Sequence, residues 1–246
     1  MHVLSIIPAR IGSARVREKP LCTIGGEPLV LLVARKVIGF GLDGPVVVAT
    51  DDERVAAAVA PLGVTAVLTR PTHRSGTERC AEVLDVPEFA WADVVLNVQG
   101  DELFLPREAA VGALARLVEG YAIGTAAAPL DDSDWSDPDR VKIGVNALGC
   151  ARWFSRSEPA RAPSGEPVEV YRHLGVYAYS RQTVRRWVAL PEAKEEREHS
   201  LEQLRPLAHG LPIGVAVVER PVEPGIDTPG DLRRVRTFLE PTRITA

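Results

Sequence analysis

The sequence predicts an α/β fold built on a mostly parallel, doubly wound sheet, and three observations predict it. Short apolar runs recur at Val3–Ile7, Val46–Ala49, Thr65–Thr69 and Val94–Val98, each closed by proline, acidic residues or glycine. Between them lie stretches with apolar residues at helical spacing, opened by the N-cap patterns Thr50-x-x-Glu53 and Ser75-x-x-Glu78. The runs are continuously apolar rather than alternating, as in strands covered on both faces.

The elements follow in order. Val3 to Ile7 is a buried strand stopped by Pro8, and a cationic loop follows with Arg10, Arg15, Arg17 and Lys19 around Gly12 and Ser13. Such a loop suits a polyphosphate, though a solvated basic turn has the same composition. Gly25 to Pro28 makes a turn and Leu29 to Phe40 a helix. At Thr50 the capping pattern places Asp51 and Asp52 in a first helical turn, where they complement the helix dipole. The Ser75 helix runs through about Leu84, and Val94–Val98 ends in Gln99-Gly100-Asp101-Glu102. Ligands of such sheets lie beyond the carboxyl ends of the strands, so the loops after Ile7, Ala49 and Val98 should converge on one crevice.

The second half is less regular. Tyr121 to Pro129 reads as a strand, Asp131 to Asp134 as an acidic loop, and Val141–Val145 with Cys150–Phe154 as a hairpin. Ser157 to Pro167 is a Pro- and Gly-rich connection, Val170 to Tyr179 a strand, and Glu192 to His209 one helix whose Lys194–Glu198 charges form a solvated face. Gly214 to Val218 is a strand, and Thr228-Pro229 has the N-cap and N1 signature of a last helix through Leu239.

Composition sets bounds. At 246 residues the chain can bury a full core, and its net charge of −4 argues against a nucleic-acid surface. Cys22, Cys80 and Cys150 contain no Cys-x-x-Cys pair, which fits a reducing compartment. The amino terminus has no signal-peptide pattern and no apolar run is long enough to span a bilayer, so a soluble cytoplasmic protein is expected, with no membrane partner. Neither Gly-x-Gly-x-x-Gly nor a P-loop follows the first strand, which disfavours dinucleotide and P-loop chemistry. Asp101 and Asp227 each stand in a glycine-containing turn, where either would serve as a cap or turn residue, or the two could share one Mg²⁺.

Several ungapped segments, in order, resemble the CMP-KDO synthetases (3-deoxy-manno-octulosonate cytidylyltransferases). Pro8-Ala9-Arg10 with Ser13, Arg15 and Lys19-Pro20-Leu21 is similar to their opening loop, and Pro20 separates it from the related sialic acid enzymes. Ser75-Gly76-Thr77-Glu78-Arg79 resembles their segment near the cytosine. Asn97 to Glu102 and Gly225 to Pro229 resemble their two metal-carboxylate motifs. Phe154-Ser155-Arg156, Arg172 to Tyr177 and Leu201 to Arg205 resemble segments lining the acceptor site.

The resemblance implies a nucleotide-diphospho-sugar transferase fold with a smaller acceptor and dimerisation lobe. Residues 1–246 would form a single nucleotidyltransferase domain: a CTP-binding half at 1–130, the lobe at 131–212, and a returning strand and helix at 213–246. Arg10, Lys19, Asp101 and Asp227 would be catalytic, with Asp101 and Asp227 holding Mg²⁺. Pro8, Ala9, Arg10, Ser13, Arg15, Lys19, Ser75, Gly76 and Thr77 would bind the nucleotide, and Gln99, Arg156, His173, Tyr177, Glu202 and Gln203 the acceptor. Without the family, His173 reads as a structural strand histidine and Glu202 and Gln203 as exposed helix residues.

The implied reaction is Mg²⁺-dependent transfer of CMP from CTP to a small anionic acceptor with release of pyrophosphate, in a homodimer. Three departures stand out: Val16-Arg17-Glu18-Lys19 replaces the family's Leu-Pro-x-Lys, Leu103 stands where proline is common, and the run from Arg156 to His173 is short. The shortened segment and the arginine-rich composition admit a smaller acceptor, a phosphonate such as phosphonoformate, beside KDO. A sialic acid or another sugar acid, and a non-catalytic nucleotide sensor, remain as alternatives.

Overall fold

A computed structural model describes residues 1–12, 15–157 and 165–239. The chain runs β1 (Val3–Pro8), the small hairpin β2 (Thr23–Ile24) and β3 (Glu27–Pro28), α1 (Leu29–Ile38), β4 (Val46–Thr50), α2 (Glu53–Val59), β5 (Thr65–Leu68), α3 (Gly76–Val83), β6 (Val94–Val98), α4 (Arg107–Val118) and β7 (Ile123–Ala128). It continues with α5 (Asp132–Ser136), β8 (Lys142–Val145), β9 (Ala151–Ser155), β10 (Glu169–Ser180), α6 (Arg181–Ala189), α7 (Lys194–His199), α8 (Leu204–Ala208), β11 (Ile213–Val217) and α9 (Pro229–Leu239).

The main sheet has the order β11-β7-β10-β6-β1-β4-β5, and the hairpin β8–β9 joins it through the first residues of β10. Along that path only β10 runs against its neighbours. The predicted fold class is therefore present. Residues of α1, α2, α4 and α9 bury one face of the sheet, and residues of α3, α6 and α8 the other. β10, drawn from the stretch read as the acceptor lobe, lies in the middle of the sheet between β6 and β7.

Local differences from the sequence reading have physical causes. Thr50 is not a helix cap, because pairing with Leu68 keeps it in β4 and its hydroxyl donates to the Ala9 carbonyl (2.7 Å). Asp52 caps α2 instead, accepting the Arg54 N–H at 2.8 Å. Ser75 does cap α3, accepting from Glu78 N–H.

Two helices escaped the sequence reading. α4 covers β7 with Ala109, Ala110 and Ala113, so close contact of small residues replaces a broad stripe of large ones. α6 buries only Val184 and Trp187 among charged residues. The predicted helix Glu192–His209 is two helices, broken at Ser200 in the left-handed conformation (φ 52°). That break folds Arg205 back onto Glu196, at 2.8 and 2.7 Å, so Glu196 is buried rather than part of a solvated face. Asp131 caps the short α5 within the predicted acidic loop. Among the described residues no helix is long and apolar enough to cross a membrane.

Candidate active site

The loops after β1, β4 and β6 leave the sheet side by side, and the backbone of the first and third passes very close. A Cβ on Gly100 would lie 2.8 Å from the Pro8 carbonyl oxygen, a contact no backbone can yield, so only glycine closes this corner. Beyond it open two adjoining cavities of about 510 and 650 Å³. Arg10, Arg15, Gln99, Asp101, Arg156 and Asp227 line both. The larger is completed by Pro8, Ala9, Lys19, Gly76, Arg79 and Gly100, the smaller by His173, Tyr177, Glu202, Gln203, Arg205 and Glu102.

Lys19, Asp101 and Asp227 meet at the shared wall. The Lys19 ammonium donates to Asp101 Oδ2 at 2.6 Å, to the Ile226 carbonyl at 3.0 Å and to Asp227 Oδ1 at 3.3 Å. The two aspartate loops are also joined directly, Ile226 N–H to the Asp101 carbonyl at 3.1 Å. At the start of α9, Asp231 accepts the N–H groups of Asp227 and Thr228 and is itself paired with Arg140. Thr228 caps that helix, accepting the Asp231 N–H. Burial works against the Lys19 charge, but Asp101 and Asp227 outweigh it and hold its pKa above the ordinary lysine value. Burial and the Asp101 charge push the Asp227 carboxyl up, with Lys19 and Arg15 opposing.

This pair fits the magnesium ion that the family resemblance implies. Two hard oxygen ligands already share one cation, and among the described residues no group of three or more His, Cys, Asp or Glu could cage a metal. Mg²⁺ takes one or two carboxylates and completes its shell with water and substrate oxygens.

Arg15 donates to Asp139 and Asp227, each at 2.6 Å, whereas Arg10 has no carboxylate partner among the described residues. The tight turn before Lys19 forms without proline: Glu18 takes a left-handed conformation (φ 48°) and its carboxylate pairs with Arg54 at 2.7 Å. Ser75 and Gly76 reach the cavities. Thr77 lines neither; it is buried, and its N–H faces Glu202 Oε2 at 3.4 Å. Ser13 falls outside the described residues, as do residues 158–164 of the connection after Arg156.

Of the residues expected at the acceptor, His173 and Tyr177 on β10 meet Glu202 and Gln203 in the α7–α8 turn, with Gln99 after β6 and Arg156 after β9 lining the same cavity. His173 stacks edge-on against Phe154 and tilts over Tyr177, both at 5.3 Å between centroids. Thr125 donates its hydroxyl to the Val176 carbonyl (2.7 Å), so its oxygen accepts from His173 Nε2 at 2.9 Å. His173 is thus the Nε2–H tautomer, with Nδ1 the acceptor. Burial drops its pKa to about 3, so it is neutral. Burial raises the Glu202 carboxyl and lifts the Tyr177 phenol well above its usual value. Arg156 is weakened as a cation by burial and by the facing Arg15.

Glu102 and Arg205 stand in the Asn97–Glu102 and Leu201–Arg205 segments, but the sequence reading gives them no role of their own, and it places Asp51 in a first helical turn. Glu102 accepts the Gly175 N–H at 2.7 Å, where β10 bulges between Leu174 and Tyr177, and burial with the adjacent Asp101 pushes its carboxyl up to about 7. The signal for it was its place at the end of the Asn97–Glu102 segment, beside Asp101. Arg79 was legible as the end of the Ser75–Arg79 segment; its ion pair with Asp51 at 2.8 Å was not.

A cytidylyltransferase family model matches residues 4–213. The chain belongs to that family. It is a CTP-dependent nucleotidyltransferase. Among curated relatives, the 3-deoxy-manno-octulosonate cytidylyltransferase of Gemmatimonas aurantiaca is 46% identical, covering 98% of this chain and 95% of the relative. That of an Acidovorax species is 40% identical over 95% and 96%. Among solved structures, a CMP:2-keto-3-deoxy-manno-octonic acid synthetase complexed with CTP superposes with a TM-score of 0.85 at 34% identity, covering 98% of this chain and 99% of the other. A putative glucose-1-phosphate thymidylyltransferase of Bacillus anthracis, at 15% identity and a TM-score of 0.65, shares the fold.

Proposed function

We propose that this cytidylyltransferase transfers CMP from CTP to 3-deoxy-manno-octulosonate and releases pyrophosphate, in a Mg²⁺-dependent reaction. The observation that carries the reading is the pair of cavities meeting at Lys19, Asp101 and Asp227, with a cationic loop on one side and a polar, desolvated wall on the other. Both cavities fall within the volumes of small-molecule sites. The relatives named for this acceptor span nearly the whole chain. A homodimer belongs to the same reading and rests on the resemblance, and a cytoplasmic location rests on the amino-terminal sequence pattern and the unpaired cysteine spacing.

The nucleotide enters the larger cavity, its phosphates beside Arg10 and Arg15, and the sugar acid enters the smaller one beside His173, Tyr177, Glu202 and Gln203. An acceptor oxygen attacks the α-phosphorus in line; the new O–P bond forms as the bond to pyrophosphate breaks. Such transfers are catalysed by positioning and by neutralising charge on the transferring and leaving groups. Asp101 and Asp227 would hold Mg²⁺, which when bound supplies positive charge to phosphate and acceptor oxygens. Lys19 keeps both carboxylates aimed at one point, and Arg10 meets the charge that builds on the leaving group.

The test is pyrophosphate release from CTP and Mg²⁺ with a panel of acceptors: KDO, a sialic acid and phosphonoformate. KDO-dependent turnover, with CMP-KDO identified by mass, is expected. Turnover with phosphonoformate or sialic acid and none with KDO would overturn the acceptor assignment.

A further inference from the structure

Arg10 lines both cavities and no carboxylate among the described residues holds it, yet its backbone is pinned on both sides. On one side the Ala9 carbonyl accepts the Thr50 hydroxyl (2.7 Å) and the Ala9 N–H donates to the Ala49 carbonyl (2.8 Å). On the other, the Ile11 N–H donates to Asp51 Oδ1 at 2.9 Å. The second oxygen of Asp51 accepts from Arg79 Nη2 at 2.8 Å, in a pair whose side chains are 8% and 2% exposed. Arg79 has further partners: Nη1 donates to Thr69 Oγ1 at 2.6 Å and to the Arg70 carbonyl at 3.4 Å. Thr69 in turn bonds the Thr50 carbonyl. The segments following β1 and β4 are thereby tied to α3 through the Asp51 carboxylate, and the segment following β5 through Arg79 directly.

A buried ion pair is weak evidence of stabilisation in itself, because desolvation offsets much of its attraction. What this one does is geometric. We propose that Asp51 is a positioning residue for Arg10: with Thr50 it fixes the backbone flanking Arg10, so that the guanidinium is presented to the nucleotide phosphates before they arrive. Prior fixing of the loop removes an ordering cost from nucleotide binding. The acceptor pocket touches these elements at Arg10, which lines both cavities, and at α3, whose Thr77 N–H faces Glu202, but its residues on β10, α7 and α8 bond neither Asp51 nor Thr50 among the described residues. The inference rests on the nucleotidyltransferase reading, and it separates binding of nucleotide from binding of acceptor.

The experiment compares Asp51→Ala, Asp51→Asn and Thr50→Val with wild type by calorimetric titration with CTP alone and by steady-state kinetics. Asp51→Ala should weaken CTP binding about tenfold, the scale of one lost hydrogen bond, and leave the acceptor KM unchanged. Asp51→Asn retains an oxygen for the Ile11 N–H but sets its amide NH2 against the Arg79 guanidinium, so CTP affinity should recover only in part, to between that of Asp51→Ala and wild type. A wholly structural role would not give that split or that rescue. Equal weakening of CTP and acceptor, or unaltered CTP affinity in a folded Asp51→Ala, overturns the proposal. Should Asp51→Ala not fold, Thr50→Val decides, since it removes no charge: it should also weaken CTP binding, and unchanged affinity overturns the proposal. Wild-type protein that binds no CTP would instead end the nucleotidyltransferase reading, and this inference with it.

Discussion

The two cavities of the site are built in different ways. The nucleotide side is made by the ends of parallel strands: main chain of Pro8, Ala9 and Gly100, charges on one loop, and clamps between adjoining loops. The acceptor side is made by buried side chains on β10, the strand that runs against its neighbours in the middle of the sheet, and on a helix pair broken at Ser200. Four of its titratable groups are shifted toward their neutral forms, His173 down and Glu102, Glu202 and Tyr177 up, while Arg205 and Arg140, which also line it, are held charged beside Glu196 and Asp231. A nucleotide carries high charge and needs rigid cations and N–H groups. A sugar acid carries one carboxylate among many hydroxyls, and needs a cation for the first and neutral donors and acceptors in fixed tautomers for the rest.

The junction carries the largest expected effect. Asp101→Asn removes a carboxylate shared by Lys19 and the candidate metal, and turnover should fall by about 10²–10³-fold. The fold should persist, since the change also relieves repulsion on Asp227. Pyrophosphate release and a thermal melt together check this; unchanged turnover would refute the shared-cation assignment and leave the cavities without a common centre.

Next comes a stability effect confined to the acceptor side. Glu196 and Arg205 form a two-contact pair, each side chain 10% exposed, that holds α7 against α8. Glu196→Ala leaves Arg205 buried without its charge partner and should cost about 3–5 kcal/mol in a denaturation experiment. A loss under 1 kcal/mol, about what an exposed ion pair contributes, would show that the pair is solvated and the helix break differently supported.

Legibility divided along the same line. Parallel strands and the loops at their ends follow from apolar runs and caps close in sequence, so Lys19, Asp101 and the first loop could be placed from motif and topology. The acceptor side depends on contacts that sequence spacing does not encode: a bulge that brings Gly175 to Glu102, and Arg205 folded back nine positions onto Glu196. Asp51 shows the same limit within the legible half. Its neighbours spelled a helix cap, and only the approach of Arg79 and Ile11 made it a clamp. α4 was invisible because its buried face is alanine, chosen for close approach: a Cβ on its Gly112 would meet Ala216 Cβ at 2.5 Å.

Two glycines test whether the sides respond separately. A methyl on Gly100 meets the Pro8 carbonyl, which cannot move without shifting β1, whereas one on Gly175 meets Glu102 Oε1 at 2.7 Å and Gln99 Cγ at 3.0 Å, both on side chains. Gly100→Ala should cost about 1–3 kcal/mol of stability and raise the KM for CTP. Gly175→Ala should cost less and raise the KM for the acceptor. Both substitutions acting on the same KM would show that the cavities are one mechanical unit.

The smallest effects separate the sides by pH. Neutral His173, at about 3 when folded against 6.5 as a free histidine, takes up its proton more readily unfolded. Its contribution is therefore whole above 6.5 and is lost as pH falls from there toward 3. Glu102 has the opposite sign. Its folded value of about 7 lies above the ordinary 4.5, so its contribution is whole below 4.5 and is lost as pH rises through 7. Denaturation midpoints followed from acid to neutral pH should show His173→Gln losing less stability than wild type on acidification, while keeping a donor for Thr125. Glu102→Gln, which keeps an acceptor for the Gly175 N–H, should gain on wild type toward neutral pH and match it in acid. If both variants instead run parallel to wild type, the acceptor wall is hydrated, and the neutral forms of His173 and Glu102 do not set it apart from the nucleotide side.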